Sequence, residues 1–401
     1  MEKPSFNRKS TIFFLGVLNA LTPFTIDLYL PAFAEIAQDL NTNVARVSLS
    51  VATYFIGYAI GQLLYGPLLD RFGRKKPIYF GLVLYLVATV GCLTARNIEA
   101  LLFFRFLSAL GGSAASVGAV AMVRDYFDPK EGARVFSYLM LVLSTSPLFA
   151  PTIGGWLAQY YGWRSVFTFL MIMATAVLVI VAFGLPKAFA GDKSVELSPK
   201  PLLKGFIEIF KVKVFRQYAL AGALSFSGLF VYITGSPAIF IDGFGVTKQE
   251  YSYLFAFLAA AMIGGGQVNN QLMKKYSSEV IYRTMIFLQM MVAISFLIAV
   301  IFFKLNLFMT VTFIFGLLSC VGIAYPNAAS LAMASFSNNA GRASALLGFI
   351  QMGVGAVLAS MVGMMDVSGT FPTALVMGIS AILAWVTLFI FSRHNGQTPR
   401  L

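Results

Sequence analysis

Charge is scarce in this chain, and histidine and cysteine are nearly absent. Only 11% of its 401 residues are charged, 58% are hydrophobic, and the mean hydropathy is +0.80. An ordinary soluble domain carries about a quarter charged residues. Polar surface this sparse does not cover so much apolar side chain, so lipid must be the solvent for most of it. The one histidine, His394, falls in a polar tail, which excludes a buried imidazole relay. The two cysteines, Cys92 and Cys320, sit far apart inside apolar stretches. They form neither a disulfide framework nor a metal-ligand spacing, and read as small buried apolar side chains. No H-E-x-x-H, G-x-S-x-G or G-x-x-x-x-G-K-[ST] run occurs, which argues against a metallopeptidase, a serine hydrolase or an ATP-driven machine. No enzyme, no metal and no cofactor are expected.

What charge there is has the sign and placement of topology signals. The net charge of +13 is not gathered into a patch, so nucleic acid is excluded as a partner. Apolar stretches long enough to cross the roughly 30 Å hydrocarbon core run over 10–33, 46–68, 77–96, 98–123, 132–158 and 163–185. After a polar interval come 216–241, 250–273, 279–302, 305–332, 340–365 and 370–392. The first is too long for a signal-peptide core and lacks a small-residue cleavage site, so it reads as a retained span. Of the 29 Lys and Arg residues, Arg46, Arg96, Arg164, Lys248 and Lys304 fall on one side and Arg105 within a span; the remaining 23 share the other side with both termini. Cytoplasmic loops carry that excess, so the spans are even in number and both termini are expected in the cytoplasm of a bacterial inner-membrane protein.

The fold class is therefore an all-α polytopic membrane protein of twelve spans, in two six-helix bundles at 1–185 and 216–401. A cytoplasmic linker covers 186–215, and its Lys-rich, aromatic second half reads as either a plain linker or a helix lying on the membrane surface. Gly66–Ser277 comparisons add weak internal symmetry: the Gly66-Pro-Leu-Leu-Asp-Arg-Phe-Gly73 run after span 2 shares register with Asn270-Gln-Leu-Met-Lys-Lys-Tyr-Ser277 after span 8. Duplicated six-plus-six transporters keep their site at the junction of the repeats. Both halves of such a site are present in one chain, so a monomer is expected.

The loop Gly66-Pro67-Leu68-Leu69-Asp70-Arg71-Phe72-Gly73-Arg74-Lys75-Lys76 resembles the signature loop of the major facilitator superfamily. Span 1 carries Thr25-Ile-Asp27-Leu-Tyr-Leu-Pro31, span 4 is followed by Val123-Arg-Asp125, and span 5 contains Ala150-Pro-Thr-Ile-Gly-Gly155. Gly162-Trp-Arg164 opens span 6, and Ala340-Gly-Arg-Ala-Ser-Ala345 with Gln351 marks span 11. Together these are similar to the drug–proton antiporter group, in its bicyclomycin-resistance (Bcr/CflA) branch. Two motifs depart from the group's usual form: Ser108 and Ala109 follow Arg105 in span 4, and Ala150 precedes Pro151 in span 5. The resemblance implies a proton-coupled exporter of small organic molecules working by alternating access, with small-molecule substrate, protons and the lipid bilayer as partners and the proton gradient as energy source. A dedicated exporter of one endogenous metabolite, or a proton-coupled importer, fits the same motifs.

Sixteen acidic residues occur, and all but Asp27 fall in loops, tails or span ends. An intramembrane carboxyl is costly and functional by default, and removal from water favours its protonated form. Asp27 is the expected proton carrier. Arg105, the lone base within a span, lies at similar depth on span 4, so the two are expected to meet and exchange influence. The resemblance implies a cytoplasmic latch of Gly66, Asp70, Arg71, Gly73, Arg74, Asp125 and Arg342, with Arg74 on Asp125 and Asp70 facing the start of span 11 near Asn338. Pro151, Gly154 and Gly155 are expected to let span 5 bend and pack closely, as are Gly57, Gly61, Gly111 and Gly112. Polar and aromatic residues on apolar spans are the cavity candidates: Asn19, Tyr54, Tyr58, Gln62, Ser113 and Ser144 in the first half, Tyr232, Gln289, Tyr325, Asn327 and Gln351 in the second. Such a wall suits amphipathic ligands.

Overall fold

A computed structural model describes residues 8–184, 191–193, 198–336, 340–365 and 369–393. Regular structure among the described residues is entirely helical, and twelve helices or helix pairs are long and apolar enough to cross a bilayer. The chain resolves into two compact units. One is Met1–Thr42 with Thr53–Leu202, and the other is Asn43–Ala52 with Leu203–Leu401.

In the first unit, span 1 is not one helix. α1 (Arg8–Asp27) ends at Asp27, a 3-10 turn follows at Leu30–Ala32, and α2 (Phe33–Asp39) completes the crossing. Pro31 explains the stop: it has no N–H to offer the Asp27 carbonyl, and its ring crowds that oxygen. The span reaches Asp39 instead of ending near residue 33, so Asp27 lies well inside it. α3 (Val44–Phe72), of which the part up to Ala52 groups with the second unit, α4 (Lys75–Thr94), α5 (Ile98–Tyr126), α6 (Pro129–Tyr161) and α7 (Arg164–Val179) follow. Asn97 caps α5, its side chain accepting from the Ala100 N–H at 2.8 Å. This satisfies a first-turn donor that has no partner inside the helix.

Small residues set how closely these helices approach. A Cβ on Gly57 would strike the Phe106 carbonyl, one on Gly61 the Ser113 hydroxyl, and one on Gly111 the backbone of Gly81 and Tyr85. Without a hydrophobic drive between helices in lipid, such close backbone packing is what holds them. Gly154 of α6 abuts the Leu28 carbonyl, at the break in span 1. That oxygen is one the interrupted helix no longer uses internally, since the Ala32 N–H bonds to Tyr29 instead.

The second unit holds α8 (Pro199–Lys211) from Leu203 onward and six membrane helices: α9 (Lys213–Pro237), α10 (Lys248–Leu272), α11 (Ser278–Phe302), α12 (Leu307–Met333), α13 (Ala340–Met364) and α14 (Phe371–Arg393). A capping box starts α10, with Thr247 and Glu250 exchanging side-chain and backbone bonds. Ser277 and Asn306 cap α11 and α12. The linker's second half is a helix, and Ile209, Phe206 and Phe210 pack it among Phe215, Tyr218 and Leu346 of the second unit.

Candidate functional site

Arg105 on α5 is completely buried, the largest fully buried side chain of the described residues. Its surroundings replace water piece by piece. One terminal nitrogen donates to the Thr25 carbonyl at 3.1 Å. The guanidinium carbon lies 4.2 Å from the centre of the Tyr29 ring and 4.5 Å from that of Tyr54. Both rings present negative π faces to the cation. The Thr25 carbonyl belongs to the last turn of α1, where unpaired carbonyls give the helix end a partial negative charge. The break in span 1 thus manufactures an electronegative seat for a cation in the middle of a crossing.

That seat is incomplete. Nε and the second terminal nitrogen of Arg105 are buried with no hydrogen-bond partner among the described residues. The expected ion pair with Asp27 is not formed: among the described residues no salt bridge joins them. The reason is register. Arg105 engages Thr25 and Tyr29, and Asp27 falls between these, two residues from each, where helix positions do not share a face. Asp27 itself is 3% exposed, at the last residue of α1.

The wall behind α1 is hydrogen-bonded. Thr25 donates to the Leu21 carbonyl at 2.6 Å, so Tyr85, 2.7 Å from the same hydroxyl, donates to it. Thr22 and Ser116 meet at 2.9 Å. Beyond the break, α2 is strapped to the α6–α7 turn. Glu35 accepts from the Trp163 N–H at 3.0 Å, and Asp39 accepts from the Trp163 indole at 3.1 Å and from Arg164 at 2.7 Å. Arg164 also donates to the Leu93 and Ala95 carbonyls. Gly162 supports this turn with a φ of +76°, a left-handed conformation that glycine adopts freely.

At the other end of the unit lies the signature loop. Gly73, with φ +79°, reverses the chain between α3 and α4 and brings Arg74 inward. Its Nε and one terminal nitrogen grip the two Asp125 oxygens at 2.5 and 3.2 Å, and the other terminal nitrogen takes Asp70 at 2.7 Å. Burial opposes the Arg74 charge, yet the two carboxylates hold it protonated, above the ordinary arginine range. The Asp70 carbonyl accepts from the Asp192 N–H at 2.9 Å. Arg71 lies beside the Phe72 ring, Gly66 has open space around its Cα, and Arg342 is exposed next to Gly205 of α8. Asn338, expected to face Asp70, lies outside the described residues.

Of the cavity candidates, several are spent on holding helices together within their own unit. Asn19 donates to the Leu139 carbonyl at 3.2 Å. Ser113 bonds within its own helix to Leu110 and packs on Gly61. Gln289 accepts from Ser225 at 2.6 Å and donates to the Ser225 carbonyl at 3.0 Å. Asn327 donates to Asn269 at 2.6 Å and to the Ile323 carbonyl at 2.8 Å. The physical reason is shared: an amide inside a bilayer finds its nearest partner on a neighbouring helix. Tyr54 is part of the Arg105 seat, with Tyr58 stacked on it at 6.4 Å. Tyr232 stacks on Phe255 and Tyr325 on Phe226. Gln62 is half-buried and Gln351 buried; the Ser144 side chain lies outside the described residues. Pro151 and Gly155 are buried in α6 beside Gly154. The contacts that sequence reasoning missed are Thr25 and Tyr29, and the Glu35–Asp39–Trp163–Arg164 strap. Pro31, four residues after Asp27, was the signal for the first.

Twelve crossings with a seated cation and a separate buried carboxyl inside one unit make a membrane transporter: intramembrane ionisable groups of this kind mark substrate and ion pathways. Residues 13–360 match the model of the Major Facilitator Superfamily, and the chain belongs to that family. It is 30% identical to an uncharacterized MFS-type transporter of Bacillus subtilis (strain 168), across 97% of this chain and 96% of that one. It is 27% identical to a bicyclomycin resistance protein homolog of Haemophilus influenzae, across 97% and 98%. Among solved structures, a bacterial homolog to the human lysosomal transporter Spinster, in an inward-facing and occupied conformation, superposes with a TM-score of 0.75. It covers 98% of this chain and 99% of that one at 16% identity, a likeness of fold.

Proposed function

We propose that this protein is a proton-coupled antiporter that exports small organic molecules by alternating access. In this reading it is a monomer of a bacterial inner membrane with both termini in the cytoplasm. The observation that carries the reading is Asp27: a buried carboxyl, outside any ion pair among the described residues, at a helix break, two residues from each of two contacts of an under-satisfied cation. A carboxylate is costly to hold ionised in such a place, so Asp27 rests protonated. The two idle Arg105 donors supply what an ionised Asp27 would need, and a small rearrangement at Leu28–Tyr29 brings them within reach. Proton release and ligand arrival are then alternative ways to complete the same seat. The bicyclomycin-resistance name of one relative supports an organic cargo. The aromatic composition of the seat suits ligands with flat or apolar bodies. The Arg74–Asp125–Asp70 cluster biases the conformational exchange from outside the membrane.

The test is proton release from the detergent-solubilised protein on adding candidate ligands, wild type against Asp27→Asn. Release that vanishes in the variant is expected. Undiminished release from the variant moves the coupling elsewhere, and binding without release from either protein contradicts antiport.

A further inference from the structure

We propose that α8 is a docking strip for anionic phospholipid of the membrane that the protein spans. It stands on three observations, none of which involves the cargo or Asp27. First, one face of α8 is already occupied: Phe206, Ile209 and Phe210 pack into the core of the second unit, which fixes the helix in orientation. Second, a neighbouring apolar strip is bare, with Leu203 60% and Ile207 45% exposed. Third, a line of charge borders that strip. At about 100° per residue, Lys200, Lys204 and Lys211 share an arc of roughly 40° directly beside Ile207. All three are exposed, and no ion pair among the described residues engages them.

That order around the helix, packed face, bare apolar strip, lysine row, suits a helix lying in the headgroup layer. Leu203 and Ile207 reach the acyl chains while the lysine stems run along them and lift their ammonium groups to the phosphates. One residue, Val212, separates α8 from α9, which begins at Lys213 and crosses the bilayer. The strip therefore starts where a membrane helix starts, and α8 is held against membrane helices along its packed side. Lysines at this level attract anionic headgroups in preference to zwitterionic ones. Glu208 is the single acid on the helix and lies on the far flank of the lysine row, away from the apolar strip.

The test is lipid retention by the full-length protein, read by native mass spectrometry after titration with equal amounts of phosphatidylglycerol and phosphatidylcholine of matched chains. Wild type is expected to retain phosphatidylglycerol preferentially. In Lys200→Gln, Lys204→Gln and Lys211→Gln variants that preference falls about fivefold per lysine removed, and the triple Lys→Arg variant restores it. Lys274→Gln with Lys275→Gln removes charge from the exposed turn after α10 and is expected to leave the preference unchanged. Leu203→Ser with Ile207→Ser is expected to lose retention at constant charge. Equal retention of the two lipids by wild type, an equal loss in the Lys274/Lys275 control, or full retention by the serine variant would each overturn the proposal.

Discussion

The two six-helix units solve the same problem, polar groups in a bilayer, in opposite ways. Three charged side chains of the described residues are buried, Asp27, Arg74 and Arg105, and all belong to the first unit. Among its described residues the second unit buries only neutral polar side chains, and two of its amides bond a neighbouring helix: Gln289 to Ser225, and Asn327 through its Nδ2 to Asn269. A neutral pair holds no titrating proton to exchange, and it clips helices. In the proposed reading, a seated cation with two idle donors, and a carboxyl at a helix break outside any ion pair among the described residues, have a proton and a partner to exchange. On the proposed function the proton chemistry belongs to the first unit, which holds the buried charges, while the second clips its helices through neutral pairs.

The sharpest way to break the comparison is to neutralise the first unit. Asp27→Asn keeps shape and removes the titrating proton. Proton-driven transport in reconstituted vesicles is expected to fall to background while the melting temperature holds. Arg105→Met follows with a two-part outcome. Transport is lost, yet stability is unchanged or higher, because a buried charge with idle donors is replaced by an apolar side chain of similar length. A marked fall in melting temperature would show instead that Arg105 is a structural keystone.

The next largest effect tests the break itself. Gly154→Val drives a side chain into the Leu28 carbonyl, and overpacking of this kind costs about 1–3 kcal/mol. Thermal denaturation reads the cost, and ligand-driven proton release is expected to drop with it. The smallest effect sharpens the contrast from the other side. Asn327→Leu strands the Asn269 carbonyl oxygen, with a penalty of about 1–3 kcal/mol, while the ratio of protons released to ligand bound stays at the wild-type value. A changed ratio would place proton chemistry in the second unit as well.

The twelve crossings were legible because length and hydropathy alone define them. Asp27 and Arg105 stood out for the same reason, as charges where charges are costly. Their relation was not legible. Depth along the spans brings them level, but whether they touch is decided by the break at Leu28–Tyr29 and by which residues of α1 face α5. The aromatic seat joins Tyr29 and Tyr54 to Arg105 across long stretches of chain, and nothing local in the sequence pairs them. The bonds that Asn19, Gln289 and Asn327 make to neighbouring helices were not legible, because a polar residue on an apolar span looks the same in sequence whether it meets a ligand or a neighbouring helix. The Trp163–Arg164 strap was visible as a motif without a job. Its job, fixing α2 beyond the break, emerges only from Glu35 and Asp39.

The central claim is that Asp27 holds a proton at rest and gives it up when ligand arrives. Infrared difference spectroscopy on the reconstituted protein, before and after ligand, reads that proton directly. The account predicts that the carboxylic acid C=O band disappears as a carboxylate band grows, and that both changes are absent in Asp27→Asn. A carboxylate band already present without ligand, or an unchanged difference spectrum in the variant, would contradict it.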